Sequence, residues 1–508
     1  MGTPRRAVGR SSTAQDLVAP VAVACAGGRF GLVGLRGRRG RGHVRPKVWL
    51  GVYTAVVTEQ THEREIWAEV YERFDPEKPA DKPWRVERKY SPAKEIVREL
   101  ARPMGGHKRF IIFGGLGSGK STELMGIAEA RSESGPVVFL DMVEHFEQRL
   151  GDIAALDRVQ PWEVVLLVGL GVFAAAKERF GHEWDERLRK DFEAAGRKFA
   201  ETAGNNAEFD LAKLASSVAA LAGGALTVAT GGAAVVVGAG LIAVSEVAKS
   251  FQFKIGIPGR KPRSDQDQAV RQLLEAVNAL IGDLQGRYAT RLTIFVDGLD
   301  RVKKRAQTEA LFVDSSLLGS LECDVVLTGP MALHWGSLRK HVRRFTTKIL
   351  TNAPVIDRDD PRSWAPGGRG IDLCVEVFRR RTHDLGDLVP EPLLRKLAYY
   401  SGGRMREFVR LIRELSGPAW DDGLVQVDEA IVDRALDSLR EETEAGLTQK
   451  HLDVLRRLLD NPDVLPDDEV VAEMLDLCLI LPYPNESEWF FPHPLLLKVK
   501  LPPATTSG

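Results

Sequence analysis

The chain has 508 residues, 44% of them hydrophobic and 28% charged, with 70 basic and 70 acidic side chains. That length allows roughly two to four domains, and a net charge of zero excludes a global attraction to nucleic acid or anionic lipid, so either partner needs a local patch. Four widely separated cysteines, Cys25, Cys323, Cys374 and Cys478, form no CxxC pair; they suggest neither a disulfide framework nor a zinc site and fit a reducing, cytoplasmic setting.

The first fifty residues carry ten basic side chains against the single acid Asp16. They have no helical or strand period, which predicts a disordered basic tail over 1–58. The apolar run 17–26 is broken by Pro20 and makes a poor signal-peptide core. A dispensable tail, an arginine-glycine nucleic-acid tail and a targeting peptide stay open as readings.

From about Glu59 the composition is that of a folded domain, and the run KRFIIFGGLGSGKSTELMGIAEA begins at Lys108. Residues 110–113 read as a short buried strand, 114–119 as a glycine-rich turn, and Leu124 and Ile127 as the start of a helical stripe. Glycines let backbone N–H groups converge on phosphates, and the helix N-terminus adds the positive end of its dipole. Lys120 then neutralises β- and γ-phosphate charge, and Ser121 offers its hydroxyl to Mg²⁺, whose other ligands are phosphate oxygens and water. The expected nucleotide contacts are Gly114, Gly115, Gly117, Ser118, Gly119, Lys120, Ser121 and Thr122.

The next hundred residues contain two uncharged runs. The thirteen residues 164–176 are too short to span a bilayer and read as a core helix. The thirty-two residues 214–245, LASSVAALAGGALTVATGGAAVVVGAGLIAVS, would make a helix of about 48 Å, enough for a hydrocarbon core of about 30 Å. Sixteen of them are Ala or Gly, which gain little from lipid, and Gly231-Gly232 could divide the run into two shorter helices. After it, Ser264 is a candidate N-cap for a helix with Val270, Leu273, Leu274, Val277, Leu280, Ile281 and Leu284 on one face.

The second chemical element is RLTIFVDGLDRV, in which the strand-length run 292–296 ends at Asp297. An acid there can hold a Mg²⁺-bound water, and Asp300 can polarise the attacking water or simply cap a turn. GTP is disfavoured, because Asp300 stands where a DxxG motif needs glycine and no NKxD motif follows. ATP is the expected nucleotide.

The pair GGLGSGKST and DGLDR resembles the additional-strand P-loop ATPases of the AAA+ and STAND classes, and DGLDR resembles the Asp-Asp-Leu-Asp-Arg run of the KAP branch. The resemblance extends over about 90–415, apart from most of 160–259. It implies a core strand in CDVVLTGP ending at Thr328 in the sensor-1 position, and a lid helix in SGGRMREFVRLIREL with a sensor-2-like arginine at Arg406 or, second, Arg404. One departure stands out: Gly298 occupies a position where many relatives carry an acid, leaving Asp300 as the other acid of the motif. KAP-type relatives carry membrane segments between these two motifs, which makes 214–245 a membrane segment, a hairpin packed within the protein, or a segment sheltered at rest and exposed on activation. The small residues Gly223, Thr227 and Gly231, four apart, suit close helix contact in a bilayer.

Beyond the lid, helical patterns near 452–459 and 470–477 precede LCLILPYPNESEWFFPHPLL, which reads as a hairpin with an Asn-Glu-Ser turn. Helices followed by such a hairpin resemble a winged-helix domain. Residues 451–500 carry ten acidic and four basic side chains, a net charge of −6 that argues against phosphate contacts. A protein partner, or packing on the ATPase, fits better.

The expected fold is α/β: a P-loop NTPase core of parallel sheet flanked by helices, with a helical insertion, a helical lid and a C-terminal winged-helix-like domain. The expected divisions are the tail 1–58, ATPase parts 59–159 and 260–360 around an insertion 160–259, a lid 361–445, the winged-helix-like part 446–502 and a tail 503–508. The expected activity is Mg²⁺-dependent ATP hydrolysis, with Lys120, Asp297, Asp300, Thr328 and Arg406 as catalytic candidates and Ser121 and Asp297 as metal ligands. The role that follows is a switch coupling nucleotide state to homo-oligomer assembly or to membrane contact through 214–245. The alternatives are a nucleic-acid-associated ATPase of the origin-recognition type and a nucleotide-binding scaffold without turnover.

Overall fold

The computed structural model describes residues 62–149, 153–202, 208–210, 254–256, 267–335, 337–362, 369–466, 469–484 and 488–501. The chain divides into two units, Met1–Val56 and Val57–Gly508, and everything below concerns the second. The expected tail 1–58, the apolar run 214–245, the capping Ser264, the Asn-Glu-Ser turn and the tail 503–508 lie outside the described residues. Among the described residues no helix is long and apolar enough to cross a membrane.

The centre is a five-stranded parallel sheet. Its strands are β1 (Arg109–Phe113), β2 (Val137–Asp141), β5 (Thr293–Asp297), β6 (Asp324–Gly329) and β7 (Thr346–Ile349). They lie in the order β2-β5-β6-β1-β7, so β6 stands between the strand that leads into the glycine-rich turn and the strand that ends at Asp297. Parallel strands need crossovers, and the crossovers cover both faces with helices, which is why these runs are apolar throughout. Side chains alternate between the faces. Phe110, Ile112, Val137, Phe139 and Phe295 meet α2 (Ala93–Leu100) and α3 (Lys120–Ser132) on one side. Ile111, Phe113, Val138, Leu140, Ile294 and Val296 meet α4 (Pro161–Phe180) and α6 (Asp267–Tyr288) on the other.

The run 164–176 lies within α4 and is buried along its length. A capping box between Gln160 and Glu163 and a proline in the first turn start this helix, and Gly181 at φ 58° ends it, the usual asymmetry of helix termini. At Gly169 a Cβ would come within 2.7 Å of Phe192 in α5 (Glu186–Thr202) and of Val277 in α6, so the lack of a side chain sets the close packing of the three helices. A two-stranded antiparallel ladder, β3 (Glu208–Asp210) with β4 (Lys254–Gly256), stands at the two ends of the undescribed run.

A second apolar core lies in the C-terminal half. It joins the helix over 62–73 (α1) to α7 (Arg369–Thr382), α8 (Glu391–Tyr400), α9 (Met405–Asp422) and α10 (Glu429–Glu444). The same core continues into α11 (Gln449–Asp460), α12 (Val471–Asp476), the antiparallel hairpin of β8 (Ile480–Tyr483) and β9 (Trp489–Pro492), and α13 (Pro494–Val499). Tyr483 donates its buried hydroxyl to the Gly402 carbonyl at 2.8 Å, which ties the hairpin to the turn before α9. Cys323, Cys374 and Cys478 are buried free thiols.

Candidate nucleotide site

β1 delivers the chain to the turn 114–119, and α3 begins at Lys120. Gly119 is the N-cap of α3 at φ 95°, a left-handed conformation that glycine adopts without a Cβ penalty. The Arg88 guanidinium fills the place where a Cβ would sit; its Nη1 donates to the Ser118 carbonyl at 2.5 Å and its Nε lies 3.4 Å from Glu123. Lys120 is 5% exposed. Its Nζ donates to the carbonyls of Gly114 (2.7 Å) and Gly115 (2.9 Å) and pairs with Asp300 Oδ2 at 2.9 Å. An ammonium has three donors, so the protein engages all of them, and Lys120 meets a phosphate only by exchanging partners.

Facing the lysine is a group of acids at the C-terminal ends of two strands. Asp297 ends β5, Asp141 ends the neighbouring β2, and the two are paired in register. Asp297 is 3% exposed; it accepts the Gly298 amide at 2.8 Å and the Ser121 hydroxyl. Burial pushes its carboxyl well above the usual range, the charges of Asp141 and Asp300 push the same way, and the two hydrogen bonds oppose them. Burial also raises Asp141, against the amides of Glu144 and Val143 and the nearby Arg301.

This donor set fits Mg²⁺. Crowded, partly desolvated carboxylates beside a hydroxyl are hard oxygen ligands that a divalent cation relieves of repulsion. Among the described residues no three His, Cys, Asp or Glu side chains form a complete metal cage. Mg²⁺ takes one or two carboxylates and draws its other ligands from phosphate and water.

The lid closes the third side. The Arg406 amide donates to the Gly117 carbonyl at 3.1 Å, and Arg404 Nε donates to the Leu116 carbonyl at 3.1 Å. Arg406 Nε donates to the carbonyl of Pro76 at 3.2 Å, and Arg413 pairs with Asp75 at 3.3 Å. The segment 75–80 is thereby strapped across the opening, and its Ala80 amide donates to the Thr122 hydroxyl at 3.2 Å. Behind the strap sits Arg381 of α7, buried over the rings of Phe74 and Trp84 and pushed down to about 10 by burial, against the nearby Asp81.

Gly117, Gly119, Lys120, Ser121, Thr122, Asp297, Asp300 and Arg406 line one cavity of about 140 Å³, which Asp141 and Arg381 also line. An adjoining cavity of about 640 Å³ shares Asp75, Lys78, Pro79, Ala80 and Arg381 with it and extends to Trp84 and Met125. Gly114 and Gly115 face a third space, of about 390 Å³, where Leu475 and Asp476 of α12 approach Asp300, Arg301 and Lys303. Thr328 lines none of these spaces. It is fully buried on β6 opposite Ile112 of β1, and its hydroxyl lacks a protein partner, as do Ser118 Oγ and Asn352 Oδ1.

The sequence reading missed Asp141, Arg88, Arg381 and the strap. VVFLD, an apolar run ending in an acid, has the same form as TIFVD and is a usable signal for Asp141. Arg88, Arg381 and the strap reach the site through the fold alone.

No protein-family model and no curated protein matches the chain. Among solved structures, a Walker-type ATPase of Pyrococcus abyssi is similar at 12% identity and a TM-score of 0.36, over 82% of this chain and 98% of that one. Drosophila ORC bound to DNA is similar at 10% and 0.35, over 91% and 94%. Cdc6p from Pyrobaculum aerophilum is similar at 12% and 0.35, over 84% and 94%. Likenesses this distant do not bear on what the chain does. The P-loop fold itself rests on the parallel sheet, its strand order and the strand, turn and helix around Lys120.

Proposed function

We propose that the chain is a Mg²⁺-dependent ATPase that couples the state of its nucleotide to the position of its lid. The observation that carries this reading is the lid's grip on the phosphate loop: the Arg406 amide holds the Gly117 carbonyl while Arg406 lines the cavity with Lys120, Ser121 and Asp297. The backbone amides of the turn and the start of α3 bind phosphate, and Lys120 exchanges its carbonyls and Asp300 for phosphate oxygens. Ser121 and Asp297 are the protein ligands for Mg²⁺, which when bound neutralises charge on the phosphates. Segment 75–80, Trp84 and Met125 bound the space for the base. The water-polarising role that the sequence offers to Asp300 requires that side chain to part from Lys120.

Thr328 stands one strand from β1 with a hydroxyl to spend, and Arg406 reports nucleotide to the lid and strap. The downstream output is assembly of copies or membrane contact through 214–245, and the finer kinship to STAND and KAP proteins rests on the DGLDR run. The acidic hairpin region, winged-helix-like in its order of helices and strands, is a surface for protein. Steady-state phosphate release from the full chain tests the reading: ATP turnover should require Mg²⁺ and fall by about 100-fold or more in Asp297→Asn. Equal turnover in wild type and variant would overturn the metal-ligand assignment, and absence of turnover in wild type would leave a nucleotide-binding scaffold.

A further inference from the structure

We infer that Asp141, rather than Asp300, is the carboxylate that takes the proton from the attacking water. The inference rests on the ATPase reading above and deepens it. In-register residues on neighbouring parallel strands point to the same face, and such strands stand about 4.8 Å apart. Asp141 and Asp297 are such a pair, at the C-terminal ends of β2 and β5, so their carboxyl groups stand side by side at the same end of the sheet and on the same face. Asp141 lines the same cavity as Lys120, Ser121 and Asp297. Asp300 differs in two ways. It sits beyond the strand end on a single turn, Leu299–Arg301, and its Oδ2 is bound to Lys120.

Gly298 explains why the second acid comes from another strand. Its φ is 86°, and a Cβ there would come within 2.7 Å of Val143 Cγ2 and 3.0 Å of the Val143 amide nitrogen. The turn that follows Asp141 therefore occupies the space that a side chain at 298 would need. The same packing that bars an acid from position 298 brings Asp141 alongside Asp297.

In the step, the water oxygen bonds to the γ-phosphorus while the bond from that phosphorus to the β–γ bridging oxygen breaks. ADP leaves with that electron pair, and Asp141 accepts the water proton, later lost to solvent. Asp300 acts on Lys120, releasing it to phosphate and receiving it back after phosphate departs.

Asp141 also has a structural role, since its Oδ1 accepts the Glu144 amide at 3.0 Å and caps the turn after β2. Asn and Ser cap about as well as Asp but lack a carboxylate, which separates the two roles. The experiment measures phosphate release, ATP affinity by calorimetry and thermal melting for the full chain carrying Asp141→Asn, Asp141→Ser or Asp300→Asn. Both Asp141 variants should lose about 100-fold or more in kcat and keep ATP affinity within about threefold, while Asp300→Asn should lose less than about tenfold in kcat. Melting temperatures of the Asp141 variants should stay within about 2 °C of wild type. Turnover of Asp141→Asn within about threefold of wild type would overturn the inference and leave the ATPase reading intact. Loss of ATP binding and of stability in both Asp141 variants would reduce Asp141 to a cap and also overturn it. A wild type that binds ATP without turning it over would overturn the ATPase reading itself.

Discussion

The nucleotide cleft and the C-terminal core both bury ionisable groups, and they do so for opposite purposes. In the cleft, Asp297 is buried and Asp141 stands half-buried beside it, with like charges that burial makes worse. In the C-terminal core, His493 is enclosed among the hairpin and lid residues, accepts the Leu495 amide at its Nδ1 and is pushed down to about 3 by burial, with the Arg404 charge adding to the effect. The histidine serves as a neutral cap and costs nothing near neutrality. For the carboxyls, hydrogen bonds and the nearby Arg301 offset burial and mutual repulsion only in part, and a bound cation would relieve the rest. His493 is thus kept in its neutral form, whereas the two aspartates stand where their charged form is disfavoured until a ligand relieves it.

The two regions should therefore lose stability in opposite pH directions. A histidine whose native value lies below its ordinary 6.5 gives stability that is complete above 6.5 and is lost as pH falls from there toward 3. At pH 5 that loss is about 2 kcal/mol. His493→Gln should flatten the acid limb of stability against pH, as measured by urea unfolding at pH 7.5 and 5. An acid limb unchanged by the substitution would erase one side of the contrast.

The effect in the cleft is opposite in sign. An aspartate whose native value is raised above the ordinary 3.8 stabilises most below 3.8, and that contribution is lost as pH rises through the native value. Asp297→Asn removes the charge, so the nucleotide-free protein should gain about 1 kcal/mol or more at pH 7.5, with the lost Ser121 hydrogen bond offsetting part of the relief. The same urea titration measures it. A variant less stable than wild type at pH 7.5 would mean that Asp297 supports the fold and stores nothing for a ligand.

The sequence disclosed the parts of this contrast that are local. Nine consecutive residues around Lys120 carry the pattern of a phosphate loop, because backbone amides, lysine and hydroxyl all come from one turn. Asp297 was legible because an apolar strand ends in an acid. The lid arginine came from resemblance, and the structure brings it to the phosphate loop through a backbone hydrogen bond at Gly117. Arg381 and the strap 75–80 were not legible, since Arg381 reaches Phe74 and the Arg73 carbonyl across about three hundred residues of chain. The division between lid and hairpin was drawn from pattern, yet one apolar cluster runs through both. Periodicity identifies a buried face but not the element that buries it. The run 214–245, with its three readings, lies outside the described residues.

Whether the cleft around Lys120 binds ATP is decided by calorimetric titration of Mg²⁺-ATP into wild type and Lys120→Ala. Lys120 contacts two carbonyls and Asp300 and supports no apolar core, so the variant should fold. Wild type should bind with one site per chain, and the folded variant should lose about 100-fold or more in affinity, since a lysine that meets phosphate forms charge-assisted bonds worth about 1.5–3 kcal/mol each. Equal affinity in the two proteins, with both folded, would mean that ATP binds elsewhere than at Lys120.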